Sequence, residues 1–134
     1  MMLAAALSIR VPAQAEQMAP IRAELAEYAE GIGMTATAVE NAQTIVTEAC
    51  GNSIKHAYAR EAMGCIEVNA HVEDGELCLE IRDFGPGIGS RTAGGSPSLH
   101  AGLLIIGALS RAFRLYSRRD VGTVLEAWMP LETA

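Results

Sequence analysis

Apolar and polar residues follow two periods along this chain. Leu7, Ile9 and Val11 alternate with Ser8 and Arg10, the period of a half-buried strand, and Pro12 stops the pattern. From about Ala15 to Tyr28 the period becomes helical. Met18, Ile21, Leu25 and Tyr28 share a stripe, while Glu16, Arg22, Glu24, Glu27 and Glu30 face away. Pro20 suits a first turn, and Gly31 and Gly33 end the helix. Thr35 or Thr37 can cap a second helix running to about Tyr58. Its stripe is Val39, Ala42, Val46, Ala49, Ser53 and Ala57, widened by Ile45, Cys50 and Ile54.

Beyond Gly64 the period returns to two. Ile66, Val68 and Ala70 form one strand, and Leu77, Leu79 and Ile81 form the next, joined by the turn signal Asp74-Gly75. The second strand runs into Asp83-Phe84-Gly85-Pro86-Gly87-Ile88-Gly89. Residues 90–100 read as a loop of small and polar residues, long enough to act as a lid. Gly102 to Phe113 reads as an apolar helix, and Leu115–Tyr116 with Val121–Met129 as a closing hairpin. The order β-αα-ββ-α-ββ predicts an α+β fold with helices on one face of a mainly antiparallel sheet.

Composition narrows the picture. The 134 residues suit one domain, and half of them are hydrophobic. The six aromatics leave the core to Ala, Val, Leu, Ile and Met. Ten basic against sixteen acidic residues give a net charge of −6, which argues against direct nucleic-acid or anionic-membrane binding. Cys50, Cys65 and Cys78 show no C-x-x-C spacing and sit among apolar neighbours, so they read as small hydrophobes in a reducing cytoplasm. His56, His71 and His100 supply no zinc spacing. Met1–Leu7 lacks the basic flank of a signal peptide, and no apolar run is long enough for a membrane span.

Three constellations carry candidate chemistry. Asp83, at a strand end before Gly85 and Gly87, can accept a hydrogen bond from an amino group such as adenine N6, and glycines let the backbone approach a ligand. D-x-G-x-G also occurs in ordinary turns. Glu48, Asn52 and His56 fall at i, i+4 and i+8, with Lys55 adjacent, and form a row along one helix face. Asn52 offers an oxygen suited to Mg²⁺, Glu48 a carboxylate for proton transfer, and Lys55 a charge for phosphate. The same row can be a solvated helix face. The loop entering Gly102-Leu103-Leu104-Ile105 leads to a helix N-terminus, a natural phosphate site or simply the start of a core helix.

In this order the three segments resemble the Bergerat-fold (GHKL) ATPase superfamily and, within it, the small anti-sigma-factor serine/threonine protein kinases. Thr47 to Tyr58 is similar to the N box of that family, and Asp83-Phe84-Gly85-Pro86-Gly87-Ile88 to its first glycine box. Gly102-Leu103-Leu104-Ile105 is similar to the end of its second glycine box, and Gly122-Thr123 to its late glycine-threonine. The resemblance implies a two-layer fold with a mixed, mainly antiparallel sheet, one domain over residues 1–134 and an ATP lid at about 89–101. It implies ATP and Mg²⁺ as ligands, Glu48 as catalytic base and Asn52 as the Mg²⁺ ligand. Asp83, with Thr123 in support, would bind the adenine amino group. Lys55 would approach the phosphates. Gly85, Gly87 and Ile88 would shape the pocket wall, and Gly102 and Leu103 the far side. The implied partners are a sigma factor, sequestered, and a small anti-anti-sigma protein, phosphorylated on Ser or Thr, often with the kinase as a homodimer.

The chain departs from the pattern at His100, where the second glycine box usually has glycine. That departure favours a rival reading, a non-catalytic nucleotide- or partner-binding module of the same fold. A two-component histidine kinase would place a helical segment with a phospho-acceptor histidine before the first strand, and none is present in this sequence.

Overall fold

The computed structural model describes residues 6–57, 64–84, 97–118 and 122–132. The elements are β1 (Leu7–Pro12), a 3-10 turn (Ala15–Gln17), α1 (Met18–Gly31), α2 (Ala36–Asn52) running into a π-helical turn (Ser53–Ala57), β2 (Cys65–Glu73), β3 (Glu76–Asp83), α3 (Pro97–Leu109), β4 (Ala112–Arg118) and β5 (Gly122–Pro130). The five strands form one sheet in the order β1-β2-β3-β5-β4. All four pairings are antiparallel, so the sheet is not mixed as the resemblance implied. A tight hairpin explains β2–β3. Both turn residues between β2 and β3, Asp74 (φ 53°) and Gly75 (φ 75°), have the positive φ of the turn that matches strand twist.

The helices cover one sheet face. Thr35 is the cap of α2: its Oγ1 accepts the Ala38 N–H at 3.2 Å. From α2, Ala38, Val39, Ala42, Ile45, Val46, Ala49 and Cys50 are buried, against Ile21 and Leu25 of α1 and Ile106 of α3. The sheet meets them with Ile9, Ile66, Val68, Leu77, Leu79, Ile81 and Leu125. Burying side chains of this size contributes roughly 1.5–3 kcal/mol each before conformational entropy is counted. The opposite sheet face carries ion pairs between neighbouring strands, such as Arg10–Glu67 at 3.8 Å and Arg114–Glu126 at 2.7 Å.

The third helix begins and ends earlier than its apolar run predicts. It spans Pro97–Leu109 rather than Gly102–Phe113, so residues 97–101 of the expected lid are helical. At the other end, the Ser110 N–H and hydroxyl both donate to the Ile106 carbonyl, at 3.0 and 2.7 Å, and close the last turn. The Arg111 N–H then donates to the Trp128 carbonyl at 2.7 Å, and the chain enters the sheet. Phe113 belongs to β4, and its ring lies against Gly107, where a Cβ would stand 3.2 Å from it.

The sheet order has one consequence for function. Placing β5 beside β3, antiparallel, brings the start of β5 to the end of β3. Gly122-Thr123 therefore meets Asp83.

Candidate functional site

Asp83 keeps the inward parity of its strand. Leu77, Leu79 and Ile81 point into the core, and Asp83, two residues further on, is 2% exposed. A carboxylate there needs hydrogen-bond donors. Ser53 Oγ donates to Asp83 Oδ2 at 3.0 Å, and the Thr123 N–H donates to Asp83 Oδ1 at 3.2 Å. Ser53 is itself buried, on the first residue of the π turn. Such turns recur where a helix must aim a side chain out of α-helical step.

The Thr123 contact depends on Gly122. Its φ is 102°, a left-handed value that favours glycine, and a Cβ there would stand 2.1 Å from the Asp83 carbonyl oxygen. Only a residue without a side chain lets β5 cross the end of β3 so closely. Thr123 thus serves the site through its main chain.

Ala49, Asn52, Ser53, Ile81, Asp83, Leu103, Leu115, Thr123 and Leu125 line one cavity. It encloses about 30 Å³, the room of about one water. The walls are mostly aliphatic, with the Asp83 carboxylate as the charged group. Such a lining suits a flat apolar ligand that brings an N–H donor.

Beside this cavity, Glu48 and Asn52 form the predicted row one helical turn apart, both partly exposed. They converge on α3. A Cβ at Gly102 would stand 3.1 Å from Glu48 Oε2 and 3.1 and 3.4 Å from the two amide atoms of Asn52. Gly102 is the sixth residue of α3, so it lies past the four N–H groups that a helix start leaves unpaired. The start of α3 therefore lies upstream of Gly102, the start that the apolar run predicts. What Gly102 supplies is close approach of α3 to the Glu48–Asn52 row. Leu103, the next residue, lines the cavity as expected.

Lys55 is exposed on the π turn and does not line the cavity. Gly85, Gly87 and Ile88 lie outside the described residues, as do the side chains of His56 and His100. Among the described residues no cluster of three or more His, Cys, Asp or Glu side chains is placed to hold a metal. Cys50 is fully buried, and burial pushes its thiol up to about 12, so it supplies no thiolate at neutral pH. Burial, joined by the nearby carboxylates of Glu73, Glu76 and Asp74, also raises the Cys78 thiol.

Ser53 was missed from the sequence because it sits on the apolar stripe of its helix. That placement is itself the signal. Ser53, Asp83 and Thr123 all occupy positions whose period calls for an apolar residue, and the fold brings these three together.

Known proteins place this geometry. The model of the family described as "Histidine kinase-like ATPase domain" matches residues 11–129. The serine-protein kinase RsbW of Bacillus subtilis is 32% identical over 79 residues, 59% of this chain and 49% of that protein. An anti-sigma F factor of Clostridium botulinum is 29% identical over 82 residues, 61% of this chain and 57% of its own length. The chain thus spans about half the length of the curated relatives it matches. The crystal structure of the RsbU and RsbW domains of Rv1364c from Mycobacterium tuberculosis superposes with a TM-score of 0.75 at 23% identity, over 95% of this chain and 32% of that one, and shows the same fold. With the family model matching nearly from β1 to the end of β5, the chain belongs to the histidine kinase-like ATPase domain family.

Proposed function

We propose that this chain binds Mg-ATP and acts as a serine/threonine protein kinase that regulates a sigma factor. It would phosphorylate a small anti-anti-sigma protein and sequester the sigma factor when that protein is phosphorylated. The observation that carries the ATP reading is the buried Asp83 carboxylate, held by Ser53 and Thr123 at the wall of an aliphatic cavity. The carboxylate accepts an amino N–H, as adenine offers and the guanine O6 edge does not. The similarity to RsbW and anti-sigma F factors supports the choice of acceptor and partner. A homodimer and a cytoplasmic location belong to the same reading.

Asn52 and Glu48 fit the phosphate end. An amide oxygen beside a carboxylate is the partial donor set that Mg²⁺ completes with waters and phosphate oxygens. ATP supplies the phosphoryl group, and Mg²⁺ neutralises charge on it. Asn52 would hold the metal and Glu48 would take or orient the proton of the acceptor hydroxyl. Ile81, Leu103 and Leu125 exclude water from the base. Leu103 is the residue α3 contributes to this lining.

A second reading, a non-catalytic binding module, is favoured by His100 and by the seating of Gly102 against Glu48 and Asn52. One experiment separates the two. Partners are recovered from native lysate with the full chain, with and without Mg-ATP, and their phosphosites are mapped. Transfer to the recovered partner is then timed for wild type and Glu48→Gln. The kinase reading expects Glu48→Gln to slow transfer by roughly 10²–10⁴-fold, with ATP affinity within a few fold and partner binding intact. If both proteins bind the partner equally and neither phosphorylates it, the binding module stands.

A further inference from the structure

We infer that Ser53 is a positioning residue for base selection: its hydroxyl holds the Asp83 carboxylate in the orientation that accepts the 6-amino edge of adenine rather than the O6 edge of guanine. The inference rests on the ATP reading above and adds to it a residue that the family motifs did not single out here. Three observations carry it. Asp83 and Ser53 are both buried, at 2% and 8% exposure, so their 3.0 Å bond is little weakened by competing water. The two carboxylate oxygens are engaged from opposite sides of the fold, Oδ2 by Ser53 from the end of α2 and Oδ1 by the Thr123 N–H from β5. Turning the carboxylate about its last torsion breaks at least one of these bonds. The Ser53 main chain is fixed as well, because its N–H donates to the Ala49 and Cys50 carbonyls where α2 gives way to the π turn.

The Ser53 hydroxyl and the Thr123 N–H both donate to Asp83, which acts as an acceptor at the cavity wall. A ligand edge with an N–H donor completes it, and an edge with a carbonyl oxygen is repelled. Without the Ser53 hydroxyl, Oδ2 loses a donor in a buried site and the carboxylate gains freedom to turn. Affinity for adenine then falls, while affinity for a base that never used the contact does not. This pattern separates positioning from a merely structural role, which would weaken both bases alike.

The test uses the full chain and calorimetric titration with Mg-ATP and Mg-GTP, alongside ligand-free thermal melts. The variants are Ser53→Ala, Ser53→Cys and Ser53→Thr. Ser53→Cys nearly keeps the volume and donates weakly, so it covers the case in which Ser53→Ala fails to fold. ATP affinity is expected to fall about 5–10-fold in Ser53→Ala and Ser53→Cys, as for loss of one ordinary hydrogen bond. GTP affinity should hold, and Ser53→Thr should recover the wild-type ratio of the two. An unchanged ATP-to-GTP ratio in both Ser53→Ala and Ser53→Cys overturns the inference, as does an equal loss of both nucleotides. Wild type that binds neither nucleotide overturns the ATP reading itself, and the inference with it.

Discussion

The two ends of the candidate site are built differently. At the Asp83 end, three elements far apart in sequence meet: Ser53 lies 30 residues from Asp83, and Thr123 lies 40. The groups are buried, both carboxylate oxygens accept, and a glycine at φ 102° permits the crossing of β3 by β5. At the Glu48 end, two neighbours on one helix are partly exposed and face a single glycine of α3. The first end is preorganised by the sheet, and the second is assembled by contact between two helices. Sheet geometry resists displacement, because moving a central strand breaks ladders on both sides. At Gly102, α3 sets no side chain against Glu48 and Asn52, so these two side chains are held less firmly. The difference suits a site that recognises a base with a rigid group and handles phosphate with groups that must open and close.

Substituting Gly122 attacks the rigid end and should have the largest effect. Gly122→Ala forces a methyl to within 2.1 Å of the Asp83 carbonyl oxygen at a φ that disfavours any side chain. The expected loss is about 2–5 kcal/mol of stability, from backbone strain and overpacking together. Urea denaturation reads it as a lower midpoint, with nucleotide binding lost in parallel. An unchanged midpoint would mean that the crossing of β5 over Asp83 is not as close as described.

Asp83→Asn probes the same end with a milder change. The amide offers one acceptor and one donor group where the carboxylate offered two acceptors. The Thr123 N–H can only donate, so the amide oxygen should turn towards it. The Ser53 hydroxyl can reverse and accept from the amide nitrogen. The fold should survive while the acceptor face presented to the cavity is lost. ATP affinity should fall by about 1–3 kcal/mol, roughly 5- to 150-fold. Calorimetry showing equal affinity for the variant and wild type would remove Asp83 from base recognition.

Gly102→Ala tests the movable end and should change stability least. Alanine favours a helix over glycine by about 0.8–1 kcal/mol, and crowding against Glu48 and Asn52 at 3.1 Å opposes that gain. Net stability should change by less than about 1 kcal/mol. Mg-ATP affinity should fall nonetheless, because the methyl displaces Glu48 and Asn52, the groups proposed to meet phosphate and metal. Melting and calorimetry on one sample separate the two effects. A large loss of stability would show the α2–α3 contact to be as rigid as the sheet, and the contrast between the ends would fail.

Much of this molecule was legible without coordinates. The periods of Leu7–Val11, Ile66–Ala70 and Leu77–Ile81 marked strands, and the Asp74-Gly75 turn paired two of them, because a side chain's face is set by its own neighbours in sequence. The Glu48–Asn52 row was legible for the same reason, since one helical turn separates its members. The end of the third helix was not. Gly102 to Leu109 is apolar throughout, and an unbroken apolar run carries no period from which to choose between helix and strand. The Arg111 hydrogen bond to Trp128, between elements, decides where the sheet takes over. The change from α to π at Ser53, just before Lys55, was not legible either: it alters the rotation per residue, and no residue type announces it.

The chain order of the motifs was enough to suggest the family, and local chemistry was enough to nominate Glu48, Asn52 and Asp83. The sequence alone also placed Ser53 on the apolar stripe of its helix and Asp83 at the end of a strand, without saying why each is polar. Only the tertiary structure answers that. The sheet order β1-β2-β3-β5-β4 brings the start of β5 to the end of β3, and the π turn aims Ser53 at the same carboxylate. Periodicity is a property of neighbours along the chain. The hydrogen bonds that hold a buried charge join residues that become neighbours only when the chain has folded.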